Sequence, residues 1–314
     1  MPAEVVTLTC AATGDRARVL VSQGFNCFEF IANVQGEHVD VLWSLPNFGS
    51  GRERASSSGI PLLFPFPGRM PGTTFHWSGK SYALEPGDKA GNAIHGFCHT
   101  RPWRVTGKQD DSVTAEFHAS KVDPSLAERW PSDFRVVANY ALGAGVLAGT
   151  YTFENVGNEP LPCGFGAHPY FRVPLSKNSR AEDCVVRLPV TKQWELQEML
   201  PTGRLLDWPE AKVFGTGVPF GALNLDDVFA GLQFDGTAAA ASIADPGGRR
   251  LTISWDQAFH ELVVYTPPHR EAICIEPYTC VPGGIGLAER GIDTGLRILA
   301  PGESFTAHME IRVA

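Results

Sequence analysis

Four segments of the chain place an ionisable side chain among glycine, proline and aromatic residues. Such surroundings exclude water from the side chain and shift its pKa, which is how a protein obtains an acid or a base that works near neutral pH. The four segments therefore predict proton-transfer chemistry. They are residues 59–70 with Arg69, 92–97 with His95, 164–171 with His168 and 274–279 with Glu276.

Each of these side chains also has an ordinary structural explanation. A lone histidine in an apolar stretch is usually a hydrogen-bonded structural residue, and an arginine such as Arg69 is usually a surface charge. Glu276 follows the apolar Ile275, and a carboxylate buried there is costly unless it is paired, so a structural ion pair is the alternative. Asp226 fits a turn or a helix cap as well as a binding site.

The elements that must position these side chains are predicted to be β-strands. In the run 134–140 every second residue is apolar or aromatic, a period of two that puts these side chains on one face of a sheet. The run 146–153 is rich in β-branched and aromatic residues, so the two runs are predicted to be neighbouring antiparallel strands. Similar strand patterns occur at 17–21, 25–34, 39–43, 113–118, 184–188, 239–244, 251–255, 261–265, 272–275 and 304–313.

Only residues 124–130 have the pattern of a helix. Asp123 can cap its first turn, Pro124 fits the first helical position and Pro131 ends it. Strands do not alternate with long helices, and no internal repeat or linker divides the chain. The predicted fold is all-β, a large antiparallel β-sandwich with few short helices, and residues 1–314 are expected to form a single domain.

Composition excludes several classes of function. The chain has 26 Lys and Arg against 34 Asp and Glu, a net charge of −8, which argues against a nucleic-acid or anionic-membrane partner. No segment has the roughly 18 consecutive apolar residues of a membrane span, and no signal-peptide pattern is visible. The seven cysteines, an odd number without a Cys-x-x-Cys pair, favour reduced, buried thiols and a cytoplasmic protein.

Together the segments resemble the aldose 1-epimerase (galactose mutarotase) family. Its members have a proline-rich segment ending in Arg, a His-Gly pair, a Gly-x-His-Pro-Tyr-Phe stretch, an Asp-x-x-Phe stretch and a late Glu in an apolar strand. The resemblance covers about residues 20–312 in the family's order. The matching positions are 61–69, His95-Gly96, 166–171, 226–229 and Glu276, with a Pro-Gly-Glu entry into the last strand at 301–303.

The resemblance implies interconversion of the α and β anomers of a pyranose sugar by ring opening and closing, without metal or cofactor. It implies that Glu276 is the base for the anomeric hydroxyl and that His168 is the acid for the ring oxygen. His95 would stabilise charge near the ring oxygen, and Arg69 and Asp226 would bind hydroxyl groups. We expect His168 to start protonated, because a nearby carboxylate favours its charged form.

The expected partner is thus a small-molecule aldose. The sequence determines neither the identity of this sugar nor the oligomeric state of the protein. Many family members that act on free sugars have a Gln before the Tyr-Thr of the preceding strand, where this chain has Val263 and Val264. Arg52, Arg54 and Arg101 could instead bind a phosphate group, so a hexose-6-phosphate 1-epimerase is an alternative.

Further alternatives are a non-catalytic carbohydrate-binding or regulatory protein on the same fold, and a sugar lyase or hydrolase. Hydrolysis commonly needs two carboxylates, and only one is strongly indicated. His95 and His99 are four residues apart, but no third ligand accompanies them, so no metal is expected. Phe66, Phe97 and Tyr170 fit either a stacking surface for the sugar or ordinary core packing.

Overall fold

A computed structural model describes residues 3–314. These residues are 47% strand and 11% helix, which confirms the all-β prediction. The strands are β1 (Val5–Thr9), β2 (Arg16–Leu20), β3 (Asn26–Val34), β4 (Glu37–Asp40), β5 (Leu62–Leu63), β6 (Arg69–Met70), β7 (Thr74–Trp77), β8 (Lys80–Ala83), β9 (Ala93–Ile94), β10 (Arg104–Lys108), β11 (Ser112–His118), β12 (Phe134–Gly143), β13 (Val146–Asn155), β14 (Leu161–Cys163), β15 (Gly166–Ala167), β16 (Tyr170–Arg172), β17 (Val185–Arg187), β18 (Lys192–Gln197), β19 (Leu200–Asp207), β20 (Val218–Pro219), β21 (Asp226–Ala230), β22 (Phe234–Asp235), β23 (Ala238–Ala244), β24 (Arg250–Asp256), β25 (Glu261–Tyr265), β26 (Ala272–Tyr278), β27 (Arg297–Leu299) and β28 (Ser304–Val313).

The helices in this part of the chain are short. The α-helices are α1 (Ala119–Val122), α2 (Ala211–Thr216) and α3 (Gly284–Glu289), and the 3₁₀ helices are Phe48–Ser50, Cys98–Thr100, Pro124–Glu128, Ala181–Asp183 and Phe220–Ala222. None of the helices in residues 3–314 combines the length and the apolar character needed to cross a bilayer.

Two large antiparallel sheets organise the fold. The ten-stranded sheet has the order β10-β11-β12-β13-β28-β24-β23-β17-β20, with β22 beside β23. The eight-stranded sheet has the order β19-β18-β21-β25-β26-β15-β5, with β16 also paired to β26. Strands β1 to β4 form a third sheet, and three two-stranded sheets pair β14 with β27, β6 with β9 and β7 with β8.

Aromatic side chains join the two large sheets. Phe153 of β13 stacks on Phe64, which follows β5, with ring centroids 4.7 Å apart, and packs at a tilt against Phe165, which precedes β15, at 4.6 Å. Buried and half-buried residues alternate along β12 and β13, so one face of the ten-stranded sheet packs on the core. This arrangement is the predicted sandwich.

The central strands of the eight-stranded sheet are buried on both faces. All seven residues of β26 are buried. Ile273 and Ile275 belong to the main hydrophobic core, whereas Cys274 and Tyr278 belong to separate clusters on the opposite face. Because successive side chains alternate between faces, β26 presents one apolar row to the sandwich core and a second row to whatever covers the other face.

Most predicted strands are present, and two of them, 261–265 and 304–313, have the predicted bounds. The predicted strand 39–43 is wrong beyond Asp40, since only an isolated bridge joins Leu42 to Phe171. The predicted helix 124–130 is a 3₁₀ helix that ends at Glu128, although the Asp123 side chain does accept from Ser125 N–H.

The three α-helices were not predicted. Each has four to six residues, which is too short for an apolar stripe of period 3.6 to develop, so the sequence gives no helical signal.

Glu261, the first residue of β25, is a buried carboxyl group with one hydrogen bond to a neighbouring strand. Its Oε2 accepts from Trp194 Nε1 of β18 at 2.8 Å, and its exposed fraction is 6%. Burial raises the pKa of Glu261 to about 8, against the smaller opposing effect of the Trp194 hydrogen bond. Burial therefore favours the protonated form of this group.

Glu261→Gln should reduce the pH dependence of the free energy of unfolding. A group whose pKa is raised on folding stabilises the folded protein while it is protonated. This stabilisation is fully present below the unfolded pKa of 4.5 and is lost as the pH rises through about 8. The upper limit of that loss is about 5 kcal/mol, and glutamine cannot ionise. Urea unfolding at pH 5 and pH 8 measures the difference in the free energy of unfolding, and Glu128→Gln, at an exposed position, is the control. An unchanged difference between the two pH values in Glu261→Gln would contradict the assignment.

Candidate active site

A cavity of about 290 Å³ lies over the face of the eight-stranded sheet that points away from the sandwich core. All five site residues predicted from the sequence line this cavity. They are Arg69, His95, His168, Asp226 and Glu276. Segments far apart in the chain therefore meet at one concave surface, and none of the five is placed elsewhere.

The register of three central strands sets the floor of the cavity. In one row across the sheet Val228 of β21 lies opposite Val263 of β25, which lies opposite Glu276 of β26. The neighbouring row on the same face consists of Asp226, Tyr265 and Cys274. The carboxyl group of Glu276 thus has an apolar valine as its neighbour in the row.

Glu276 is buried, with an exposed fraction of 1%. Tyr278, two residues further along β26 on the same face, donates its hydroxyl hydrogen to Oε2 of Glu276 at 2.7 Å. The other carboxyl oxygen, Oε1, lies 3.3 Å from Nδ1 of His168. Tyr278 therefore fixes one oxygen of the carboxyl group and leaves the other facing the imidazole.

His168 lies between β15 and β16, which both pair with β26. Its backbone N–H donates to the carbonyl of Pro61 at 3.0 Å, and its ring stacks on Tyr170 with centroids 4.9 Å apart and planes 6° apart. Nδ1 has no hydrogen-bond partner in the described residues, because its contact with Glu276 has the distance of an ion pair without hydrogen-bond geometry. Packing, not hydrogen bonding, orients this ring.

Burial moves the pKa values of this pair in opposite directions. It raises the pKa of Glu276 well above the ordinary value, although the Tyr278 hydrogen bond opposes the shift. It lowers the pKa of His168 to about 3. Both shifts favour the uncharged forms, since a low-dielectric site penalises charge. The direction of the His168 shift is opposite to the expectation that this residue starts protonated, because burial is its largest cause.

His95 reaches the cavity from an unusual backbone conformation. His95 and Gly96 have φ values of 68° and 66°, and an added Cβ on Gly96 would lie 2.3 Å from the carbonyl oxygen of Phe64. The His95 ring lies edge-on to His168 with centroids 5.5 Å apart. Burial, and next the neighbouring His168, lower the pKa of His95, so the ring is a neutral hydrogen-bonding group.

Arg69 and Asp226 provide opposite charges at the more open part of the cavity. Arg69 belongs to β6, which pairs with β9 next to His95, and its Nε donates to Oδ2 of Asp88 at 3.2 Å. Asp226 begins β21 and is exposed. Partial desolvation raises the pKa of Asp226, and the nearby Arg69 opposes that shift. Both groups are accessible to a polar ligand.

The sequence analysis missed two tyrosines of the site. Tyr278 and Tyr265 line the cavity, and the period of two that places Glu276 on this face also places Tyr278 there, so the signal was available. Tyr170 was expected either to form a stacking surface for the sugar or to pack in the core, and it lines the cavity. Phe66 and Phe97 do not line it but contact Trp130 in the core, with centroids 5.5 and 6.0 Å away.

The three arginines considered for a phosphate clamp do not converge. Arg101 is paired with Asp123 at 3.0 Å and lies 3.6 Å from Glu85. Arg54 lines the cavity and also an adjoining one of about 180 Å³, while Arg52 lines neither. Of these three arginines, only Arg54 therefore faces the candidate site, where Arg69 also lies.

One set of side chains has the donors of a metal site. His168, Cys274 and Glu276 each offer one ligand atom, and these atoms lie within 4.8 Å of one another. This set does not include His95 or His99, the two histidines considered as metal ligands from the sequence. Their rings contact each other edge-on, with centroids 5.8 Å apart.

Comparison with known proteins identifies the family. The family model described as Aldose 1-epimerase matches residues 29–312, which include all five site residues. The chain belongs to the aldose 1-epimerase family. This is a family of isomerases that act on sugars, so the five residues form the candidate active site of a family member.

Related proteins match this family member over most of their length. The uncharacterized protein YphB of Escherichia coli (strain K12) is 27% identical over 295 residues, 89% of this chain and 93% of that protein. A galactose mutarotase-like protein from Clostridium acetobutylicum superposes with a TM-score of 0.86 at 23% identity, covering 100% of this chain and 99% of the other. A GalM/aldose epimerase homologue from C. elegans gives a TM-score of 0.81 at 15% identity, covering 99% of each chain. The structures show the shared fold.

Gly96→Ala should lower the free energy of unfolding more than Gly72→Ala. Gly72 has a φ of 65°, like Gly96, but an added Cβ would have no atom within 4 Å. Both substitutions carry the left-handed strain of about 1–2 kcal/mol, and the contact with Phe64 should add about 1–3 kcal/mol at Gly96. Chemical denaturation of both variants measures the difference. Equal losses would show that the close approach is unimportant.

Proposed function

We propose that this protein is an aldose 1-epimerase, a mutarotase that interconverts the α and β anomers of a pyranose sugar. The observation that carries the proposal is the buried pair of His168 and Glu276, 3.3 Å apart at the wall of a cavity. Mutarotation needs one group that accepts a proton from the anomeric hydroxyl and another that gives a proton to the ring oxygen. An imidazole and a carboxyl group side by side can perform both tasks.

The pair is proposed to share one proton. Without sugar, burial favours the uncharged carboxylic acid and imidazole. Sugar hydroxyl groups filling the cavity provide polar partners that favour the charged form. The proton then moves from Glu276 across the 3.3 Å contact to Nδ1 of His168, which gives a carboxylate base and an imidazolium acid.

Ring opening then follows without any change of oxidation state. Glu276 takes the hydrogen of the anomeric hydroxyl, the C1–O5 bond breaks as C1=O forms, and His168 protonates O5. Rotation about the C1–C2 bond presents the other face of the aldehyde to the hydroxyl on C5. Reversal of both proton transfers closes the ring as the other anomer and restores the pair. No metal, cofactor or second substrate enters this scheme.

The other residues are proposed to hold the sugar. The neutral His95 ring, beside His168, hydrogen-bonds near O5 and stabilises the charge that develops there. Arg69 donates to hydroxyl oxygens and Asp226 accepts from hydroxyl hydrogens, both as charge-assisted bonds. Tyr170 and Tyr265 provide aromatic surface for the C–H groups of the ring. Val228 and Val263 border the carboxyl group with apolar surface, so we propose that the sugar makes no polar contact with these two side chains.

Two alternatives are weaker. A non-catalytic sugar-binding protein has no need of a carboxyl group and an imidazole that are buried and adjacent, because such groups are costly to desolvate. For a hexose-6-phosphate 1-epimerase, only Arg54 of the three arginines considered for the phosphate lines the cavity, since Arg101 is already paired with Asp123. We therefore propose aldoses as the substrate class, with free sugars ahead of 6-phosphates.

We also propose a cytoplasmic location and a single domain spanning residues 1–314. All seven cysteines are free, and six of them are buried, which suits a reducing compartment. Core residues from β1 to β28 belong to one continuous hydrophobic cluster, which supports one folding unit.

Glu276→Gln should reduce the rate of mutarotation by about 10²–10⁴. The amide keeps the shape of the carboxyl group and cannot act as the base. Polarimetry on fresh α-D-glucose and α-D-galactose measures the rate, and exchange NMR extends the assay to the 6-phosphates. Glu261→Gln is the matched control, because it alters a buried carboxyl group that does not line the cavity. A fully active Glu276→Gln would refute the role, and a wild type no faster than buffer would refute the function.

Asp226→Asn should raise KM more than it lowers kcat. Loss of a charged acceptor removes a hydrogen bond worth about 1.5–3 kcal/mol, which corresponds to at least a tenfold increase in KM. Asp227→Asn is the control, since Asp227 is the next residue of β21 and its side chain accepts from Gln193 on the other face. Initial rates over a range of sugar concentrations separate the two constants. Equal KM values for the two variants would exclude Asp226 from sugar binding.

A further inference from the structure

Cys274 is a buried thiol beside the proposed acid–base pair that the mechanism does not use. It lies in the same row of the sheet as Tyr265, two residues before Glu276 on the same face of β26. Its ligand atom and those of His168 and Glu276 are mutually within 4.8 Å. All three side chains are buried, with exposed fractions of 0%, 7% and 1%.

An independent observation shows that this cluster lacks an internal partner. His168 Nδ1 is buried and accepts or donates no hydrogen bond within residues 3–314. It faces Oε1 of Glu276. An imidazole nitrogen left without a partner between a carboxyl group and a thiol is available to a ligand that binds all three groups.

The distances suit a tetrahedral ion. Two ligands about 2.0–2.1 Å from Zn²⁺ at the tetrahedral angle lie roughly 3.3 Å apart, and the observed separation of Nδ1 from Oε1 is 3.3 Å. Sulfur at about 2.3 Å from the ion lies roughly 3.6 Å from the other two ligands. Sγ lies within 4.8 Å of the other two ligand atoms, so its separation from them exceeds this ideal distance by at most about 1.2 Å.

Ligand chemistry and charge select the kind of metal. A thiolate with an imidazole and one carboxylate suits Zn²⁺, whereas Mg²⁺ prefers oxygen ligands alone. The thiolate and the carboxylate together carry two negative charges, which a divalent ion neutralises in a site that penalises net charge. His168 and Glu276 also line the cavity, which would leave a fourth ligand position open to a water molecule.

We propose that His168, Cys274 and Glu276 form an inhibitory Zn²⁺ site that takes the acid–base pair out of use. Binding releases the thiol proton of Cys274 and any proton held by Glu276, and the neutral imidazole loses none. The ion then occupies the lone pairs that proton transfer needs. The inhibition part of this inference rests on the proposed mutarotase activity, while the binding part does not.

Calorimetric titration of the full-length, EDTA-treated protein with ZnCl₂ tests the binding part. We expect one Zn²⁺ per chain that MgCl₂ does not replace. Cys274→Ala should weaken this binding by more than the 10–100-fold effect typical of losing an outer partner, and Cys274→Ser provides a second variant of similar volume. Cys163→Ala is the matched control, since Cys163 is an equally buried thiol outside the cluster.

Polarimetry at increasing ZnCl₂ concentrations tests the inhibition part. Wild type and Cys163→Ala should lose mutarotation with the same midpoint as Zn²⁺ binding, and Cys274→Ala should keep its activity at those concentrations. Binding that Cys274→Ala does not weaken, or no stoichiometric binding to the wild type, would overturn the inference. Zn²⁺ binding to a wild type that equilibrates no aldose would instead retain the site and refute the proposed function.

Discussion

The placement of one carboxyl group on a buried strand constrains the whole site. Glu276 belongs to a strand whose residues are all buried, so it can be kept there only with partners for both oxygens or as the uncharged acid. Tyr278 supplies one partner by hydrogen bonding, and His168 lies beside the other oxygen. The burial that makes this carboxyl group costly also shifts its pKa toward the range in which a proton can be exchanged.

The remaining elements act on this pair through the backbone. The proline-rich segment has few N–H donors, yet its carbonyl groups accept from His168 and Gly164, so it forms an edge that fixes the imidazole loop. The left-handed conformation of His95 and Gly96 brings a second ring against the first. In each case a stiff local backbone replaces side-chain hydrogen bonds in positioning a histidine.

Much of this arrangement could be predicted from the sequence. Short strand-like runs located β25 and β28 with the correct bounds, and proline and glycine neighbours marked His168 and His95 as unusual. The short helices were missed because one turn leaves no periodic signal. The lowered pKa of His168 was not anticipated, because it depends on how completely water is excluded, which is a property of the packed structure. The contact between Cys274 and His168 requires the pairing of β16 with β26, and nothing local in the sequence encodes that pairing.

The alternation along β26 also bears on how the chain chooses its strand pairing. A slip of one residue against β25 would turn Glu276 into the hydrocarbon interior between the sheets and bring Ile275 to the solvent-facing hollow. An ionisable carboxyl group would then lie without a partner between the sheets, which costs more free energy than moving one aliphatic side chain out of the core. The carboxyl group of Glu276 therefore favours the observed register of β26 against β25.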